Sequence, residues 1–279
     1  MKTNASILIE NYELTGCHGV NPEEKTEAQR FVFSAVLDVD ATVAANTDDV
    51  DKTVSYSAVC KLIKAFFGEN SRNLLETLAL GAARRIMLTF PSISRAEVTV
   101  RKPDAPMKGK FDSVGVRAEV RRSVAYLSMG SSVGDRAAYM DRAAELLAAD
   151  ELVLSVKESR RVATAPYGGV AKNEFLNSAL RLETLHTPES LLALVAEVEK
   201  SCDRVRDEHW GDRTLDLDIL LFGDEVRSEG ALILPHPEMK KREFVLVPLA
   251  EIAPHAVHPL TRKTMAEMLA DLYRAAPAE

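Results

Sequence analysis

The chain has 279 residues, 46% apolar and 28% charged, the composition of an ordinary globular protein of two domains. That composition excludes disorder, collagen and coiled coil, and charges interrupt every apolar stretch before the roughly 18 residues a membrane helix needs. Residues 1–121 carry 16 Lys+Arg and 16 Asp+Glu, so the whole net charge of −7 lies beyond them, the opposite of a nucleic-acid binder's balance. Met1 to Glu10 lacks the basic flank, apolar run and cleavage site of a signal peptide, so the cytosol is the expected compartment. Cys17, Cys60 and Cys202 form no C-x-x-C pair and are expected as small residues in or near a core.

In chain order, Ser6 to Leu14 and Phe31 to Val43 alternate apolar and polar residues as half-buried strands do, with Phe31, Phe33, Ala35, Leu37 and Val39 on one face. Helical spacing follows in Ser57 to Phe67, and again in Asn73 to Phe90 until Pro91 stops it. A strand at Ala96 to Lys102, a Pro/Gly loop at Pro103 to Lys110 and a strand at Ser113 to Val120 complete a β-β-α-α-β-β unit. A second unit is predicted to run strand (Val124 to Met129), helix (Asp135 to Ala149), strands (Leu152 to Val162, Phe175 to Leu182), helix (Pro188 to Cys202), strand (Leu215 to Phe222) and two short helices. This mixture with hairpin-like neighbours indicates an α+β class, and the division is expected at 1–121 and 122–279.

The sharpest chemical signal is Arg213-Thr-Leu-Asp-Leu-Asp-Ile-Leu220. On a strand, residues two apart share a face, so Asp216 and Asp218 point together while Leu215, Leu217 and Ile219 point into the core. Parallel carboxylates repel unless a cation sits between them, and hard oxygen donors with few protein ligands suit Mg²⁺. The alternative is an exposed polar strand face. Arg204, Arg206, Arg213, His236 and Arg242 flank the pair, and guanidinium groups bind phosphate oxygens bidentately, so a phosphate-rich substrate fits both signs of charge. Gly130-Ser-Ser-Val-Gly134 also matches G-x-S-x-G, which admits Ser132 as a hydrolase nucleophile, but the turn follows only the first strand of a new unit. No Walker A sequence occurs.

In the first unit the polar candidates are Glu24, Tyr56, Glu76 and Lys102. Glu76 lies near a helix start, where the dipole favours a carboxylate, and Lys102 precedes Pro103, which keeps it extended at a sheet rim. An ordinary helix acid and a surface lysine are the alternatives.

Residues 124–273 resemble the 6-hydroxymethyl-7,8-dihydropterin pyrophosphokinases in Arg204-Val-Arg206, Trp210-Gly-Asp-Arg-Thr-Leu-Asp-Leu-Asp-Ile219 and Pro235-His-Pro-Glu-Met-Lys-Lys-Arg-Glu-Phe-Val245. The resemblance implies a ferredoxin-like α+β fold with Asp216 and Asp218 holding two Mg²⁺. It implies ATP contacts from Glu199, Arg204, Arg206, Arg213, Ile219, His236 and Arg242. Its pterin lies between Phe175 and Phe244, with Thr164, Pro166, Asn177 and Trp210 around it. Ser132 stands where that family usually has Asn, Phe175 replaces a common Tyr, and the loop from Arg206 to Trp210 is one residue shorter than in some relatives.

Residues 6–121 resemble dihydroneopterin aldolases, which share the tunnelling fold, in Gly16-Cys-His-Gly-Val20, Thr53-Val-Ser-Tyr56, Asn73-Leu-Leu-Glu76 and Val100-Arg-Lys-Pro103. That resemblance implies a pterin held by Val54, Leu75 and Glu76, with Glu24, Tyr56 and Lys102 moving protons. It implies no metal and no cofactor, because the dihydropterin's own C=N accepts electrons, and a homo-oligomeric ring, a tetramer or octamer. Together the resemblances imply consecutive steps of folate synthesis, retro-aldol cleavage followed by ATP-dependent pyrophosphoryl transfer. The alternatives are a first domain that only assembles the chain, or one that epimerises the neopterin side chain.

Overall fold

Alternation becomes sheet in the first unit because one face of each strand is apolar. In the computed structural model, which describes residues 4–165, 173–202 and 213–275, the chain divides into two units, Met1–Arg122 and Ser123–Glu279. Strands β1 (Asn4–Gly16), β2 (Gln29–Asp40), β3 (Ile93–Lys102) and β4 (Val114–Arg121) form an antiparallel sheet in the order β1-β2-β3-β4. Short helix α1 (Pro22–Thr26) interrupts β1 and β2, and α2 (Thr42–Thr47), α3 (Tyr56–Glu69) and α4 (Leu75–Thr89) lie between β2 and β3. Phe31, Phe33, Ala35, Leu37 and Val39 are buried, and so are Val59, Ile63, Phe66 and Phe67 of α3 and Leu78, Ala82, Ile86 and Met87 of α4. A large apolar side chain taken fully out of water contributes roughly 1.5–3 kcal/mol, so this layer between helices and sheet holds the unit together.

Three local departures from the sequence expectation have physical causes. The strand expected to reach Val43 ends at Asp40, whose carboxylate accepts the Thr42 amide at 3.0 Å and its hydroxyl at 2.5 Å, turning the chain into α2. Helix α4 starts at Leu75 rather than Asn73, since the Asn73 side chain instead accepts the Lys25 ammonium at 2.5 Å. Helix α1 was not predicted at all; it begins on Pro22 and carries Glu24 in its first turn.

In the second unit, β5 (Ser123–Ser131), β6 (Val153–Glu158), β8 (Phe175–Thr184) and β9 (Asp216–Phe222) pair antiparallel in the order β6-β8-β5-β9, with short β7 (Val162–Thr164) also on β8. Helices α5 (Arg136–Ala149) and α6 (Pro188–Ser201) give the connectivity β5-α5-β6 and β8-α6-β9 of a βαββαβ unit. They cover one face, where Met140, Ala143, Leu147, Leu191 and Val195 pack on Leu127, Leu180, Leu182, Leu217 and Ile219. Helices α7 (Glu243–Ile252) and α8 (Met265–Ala275) contribute Val245, Leu246, Leu249, Met265 and Met268 to a second cluster with Ala179, Leu220 and Leu221. The strand expected over Leu152 to Val162 is split in two: at Ser159 the hydroxyl accepts the Ala179 amide at 2.9 Å and replaces a regular ladder rung.

Candidate active sites

The first unit brings Glu24 and Lys102 together as a buried ion pair, with side chains 7% and 8% exposed. They are 78 residues apart and meet because α1 folds back over the end of β3. Glu24 also accepts the Asn21 amide at 2.9 Å and the Gln29 amide nitrogen at 3.3 Å. Burial works against ionisation of this carboxyl, but the Lys102 ammonium and the Asn21 and Gln29 donors overcome it and hold the pKa at about 2. Lys102 therefore faces a permanent carboxylate, and its ammonium also donates to the His18 carbonyl at 3.4 Å and lies 5.6 Å from the centre of the Phe31 ring.

Gly19, at φ +146°, makes the close packing over Glu24 possible: a Cβ there would fall within 2.4 Å of both carboxylate oxygens. His18 beside it is 4% exposed, wedged against Phe31 and Phe67 at ring distances of 5.3 and 4.2 Å. Burial, then the charges of Arg72 and Lys25, lowers its pKa to about 4, so the imidazole is neutral at physiological pH.

Among the other residues expected in this site, Val54 is buried, Leu75 half-buried and Glu76 exposed in the first turn of α4. Tyr56, the first residue of α3, is 69% exposed, and the Ser55 hydroxyl caps that helix by accepting the Ala58 amide. Among the described residues of one chain, neither Tyr56 nor Glu76 hydrogen-bonds the Glu24–Lys102 pair. Sequence reasoning assigned no role to His18 or Gln29; the Gly16-Cys-His-Gly19 run held a signal for His18, whose ring partner Arg72 lies 54 residues on, and no motif marked Gln29.

In the second unit Asp216 pairs with Gly130 and Asp218 with Ser128, so both carboxylates leave the same face of β9, while Leu217 and Ile219 enter the core beneath. Ile219 is only 3% exposed. Burial, and then repulsion from Asp216, raises the Asp218 pKa against the opposing pull of His236, Arg242 and Arg213. Arg213 donates to Asp216 at 2.5 Å. Glu199, 4% exposed, reaches across from α6 and accepts the Leu217 amide at 2.8 Å, fixing the strand between the two aspartates.

His236 is held alongside β9 by its amide's bond to the Leu220 carbonyl, 2.9 Å, and burial lowers its pKa. Its Nδ1 is buried with no hydrogen-bond partner among the described residues. Arg242 precedes α7, with its guanidinium 5.8 Å from the Phe244 ring centre. Asn177 donates to the Thr164 hydroxyl at 2.7 Å, and a Cβ on Gly130 would come within 2.8 Å of the Asn177 carbonyl oxygen and 3.6 Å of Phe175. Thr164 and Phe244 share the wall of a cavity of about 690 Å³ floored by Val247 and Pro248; Phe175 and Asn177 stand outside that wall. Pro166, Arg204, Arg206 and Trp210 lie outside the described residues.

Ser132 has no nucleophile's surroundings. Its hydroxyl accepts the Arg213 amide at 2.9 Å and donates to the Arg213 carbonyl at 3.4 Å, and among the described residues it has no histidine partner. No group of three or more His, Cys, Asp or Glu placed to hold a metal occurs among the described residues, so a cation at Asp216 and Asp218 would draw on water and substrate oxygens. No helix among them is long and apolar enough to cross a membrane.

Comparison with known proteins places both units. The family described as 7,8-dihydro-6-hydroxymethylpterin-pyrophosphokinase matches residues 126–254, and dihydroneopterin aldolase matches residues 7–119. The 2-amino-4-hydroxy-6-hydroxymethyldihydropteridine pyrophosphokinase of Methylorubrum extorquens is 41% identical over 148 residues, 53% of this chain and 92% of that protein. The folic acid synthesis protein FOL1 of Dictyostelium discoideum is 27% identical over 95% of this chain, which spans only 44% of FOL1's length. The E. coli dihydroneopterin aldolase solved with neopterin aligns with 41% of this chain and 97% of its own, at 25% identity and a TM-score of 0.39. The chain belongs, through its second unit, to the hydroxymethyldihydropterin pyrophosphokinase family, and carries a dihydroneopterin aldolase unit fused ahead of it.

Proposed function

We propose that the chain carries out consecutive steps of folate biosynthesis, the first unit releasing glycolaldehyde from 7,8-dihydroneopterin and the second transferring pyrophosphate from ATP to the 6-hydroxymethyl product. The observation that carries this reading is the buried Glu24–Lys102 pair in the aldolase unit, joined in one chain to the paired aspartates of the kinase unit.

In the first reaction the bond between the first and second side-chain carbons breaks. Its electron pair enters the ring C=N, a proton is taken up at that ring nitrogen, and the hydroxyl on the second carbon loses its proton to become the aldehyde. The enol-like carbon left on the pterin then gains a proton as the ring nitrogen loses one, giving the hydroxymethyl product. Lys102, paired with Glu24, is the group we assign to proton delivery, with Tyr56 on the side-chain hydroxyls. Glu76 would grip the pterin's amino and ring N–H groups as a bidentate acceptor, alongside Val54 and Leu75. Because Tyr56 and Glu76 are exposed, we assign completion of the site to a second copy of the chain in a homo-oligomer, a tetramer or octamer formed by the first unit. Exposed Leu8, Val20, Val50 and Leu74 support that assembly.

In the second reaction the hydroxymethyl oxygen attacks the β-phosphorus in line, and the bond to the AMP oxygen breaks. Asp216 and Asp218 suit two Mg²⁺, since burial, and then repulsion from Asp216, raises Asp218, and a hard cation would favour its carboxylate form. Bound there, Mg²⁺ would neutralise charge on the phosphate oxygens. Arg204, Arg206, Arg213, His236 and Arg242 would orient the triphosphate, while Phe175 and Phe244 stack the pterin and Asn177 and Thr164 read its edge, with Pro166 and Trp210 around them. Glu199 supports the aspartates through the Leu217 amide and Ile219 presents its main chain to the base. Both reactions belong in the cytosol on this reading. The test supplies 7,8-dihydroneopterin alone and then with ATP and Mg²⁺: glycolaldehyde should form in both, and AMP only in the second and no faster than glycolaldehyde. Glycolaldehyde absent from both would overturn the aldolase half.

A further inference from the structure

We propose that His18 is a positioning residue of the aldolase site, its Nδ1 serving as the acceptor that ties the turn supporting Lys102 to the segment that leads into Glu76. The inference rests on the aldolase reading above and adds a residue to it.

Residues 17–19 and 71–72 are joined by three hydrogen bonds. The Arg72 amide donates to His18 Nδ1 at 3.1 Å, the Gly19 amide donates to the Arg72 carbonyl at 2.9 Å, and the Ser71 hydroxyl donates to the Cys17 carbonyl at 2.6 Å. On the other side of the same turn, the His18 carbonyl accepts both the Lys102 ammonium at 3.4 Å and the Gln29 amide nitrogen at 3.1 Å. Gln29 in turn donates to Glu24. Arg72 stands four residues before Glu76, and the Arg72 guanidinium is itself fixed by the Phe66 carbonyl at 3.0 Å and by lying 4.0 Å from the Phe66 ring centre. One residue thus bridges the acid/base pair, through its carbonyl, and the approach to the pterin anchor, through its ring.

The chemistry of the imidazole suits this task. A neutral ring accepts at one nitrogen, a protonated one accepts at neither. His18 remains neutral because it is buried between Phe31 and Phe67 near the cations Arg72, Lys25 and Lys102. Gly16 makes room for the arrangement, since a Cβ there would lie 2.6 Å from the Phe67 ring that backs the imidazole. A ring without an acceptor would fill the same space but leave the Arg72 amide without its partner.

That difference is the test. His18→Phe keeps the aromatic packing and removes the acceptor, whereas His18→Asn places a carbonyl oxygen near the Nδ1 position. Both are made in the full chain, with melting followed by circular dichroism and AMP formation from supplied 6-hydroxymethyl-7,8-dihydropterin as a control for the second unit. His18→Phe should lower kcat for glycolaldehyde release about tenfold or more with KM changed less than about threefold, and His18→Asn should restore kcat to within about threefold of the unsubstituted enzyme. Ser71→Ala, at an exposed position, removes the 2.6 Å bond to the Cys17 carbonyl and the longer one, 3.3 Å, that the hydroxyl accepts from the Lys25 ammonium; it should lower kcat in the same direction by about two- to threefold, and it tests the clamp even if His18→Phe unfolds. Unchanged kcat in both His18→Phe and Ser71→Ala, or a His18→Asn enzyme no better than His18→Phe, would overturn the inference. Absence of glycolaldehyde with the unsubstituted enzyme would instead overturn the aldolase reading itself.

Discussion

The two sites of this chain solve opposite electrostatic problems. In the first unit a carboxylate and an ammonium neutralise each other out of water, so Glu24 is held at a pKa of about 2. In the second, two carboxylates leave one strand face side by side, and burial plus mutual repulsion raises Asp218. A pair whose charges already match has no electrostatic need of a cation. In the second unit Arg213 pairs with Asp216, yet Asp218 stays raised, and the Mg²⁺ proposed for this pair would make that unit's reaction conditional on a cation. The lesson is that charge balance within a site, more than its residue types, indicates what else it requires.

The strongest way to break the contrast is to remove one member of each set. Lys102→Ala leaves the Glu24 carboxylate buried without its cation; glycolaldehyde release should fall by about 10²–10⁴ and folding stability of the first unit by about 3–5 kcal/mol. Denaturant melts and a glycolaldehyde assay check both. The double variant Lys102→Met with Glu24→Gln should recover much of the stability and none of the activity. Asp218→Asn should lower AMP formation about 10²–10³-fold while glycolaldehyde release stays as before, and calorimetric titration of Mg²⁺ into the ATP-bound protein should show weakened binding. Strong Mg²⁺ binding by Asp218→Asn would remove the aspartates from the proposed metal site.

A smaller effect comes from pH. Glu24 has a folded-state pKa depressed from 4.5 to about 2, so its contribution is fully present above pH ~4.5 and is lost as pH falls towards 2. His18 is depressed from 6.5 to about 4; the unfolded chain takes up that proton first, so stability falls as pH drops from about 6.5 to 4. Melting curves of His18→Asn should be flatter than those of the unsubstituted protein in the upper window, and those of Glu24→Gln in the lower one. Curves that stay parallel in both windows would contradict the assigned charge states. The smallest effect is expected for Phe175→Tyr, which keeps the aromatic face; kcat/KM for AMP formation should change by no more than about twofold.

Much of the fold was legible because its cores follow simple periods. Phe31 to Val39 alternates and is buried on that face, and Val59, Ile63, Phe66 and Phe67 recur at helical spacing and pack beneath it. The parts that were not legible depend on single side chains that compete with the backbone ladder, such as Asp40 ending β2 and Ser159 dividing β6 from β7. The same holds for the sites. The shared face of Asp216 and Asp218 follows from strand geometry alone, whereas the roles of Gln29 and His18 rest on carbonyl and amide partners up to 54 residues away, which no local spacing encodes. Glu199 illustrates the middle case: the resemblance pointed to ATP, and the structure adds a bond to the Leu217 amide that braces the aspartates.

The contrast between a self-neutralised site and a cation-dependent one is tested most directly by supplying 7,8-dihydroneopterin, ATP and Mg²⁺ and following glycolaldehyde and AMP separately, with and without EDTA. Both products should form without the chelator, and EDTA should abolish AMP while leaving the rate of glycolaldehyde release unchanged. Loss of both products with EDTA, or persistence of AMP, would contradict the division of labour read from these two charge constellations.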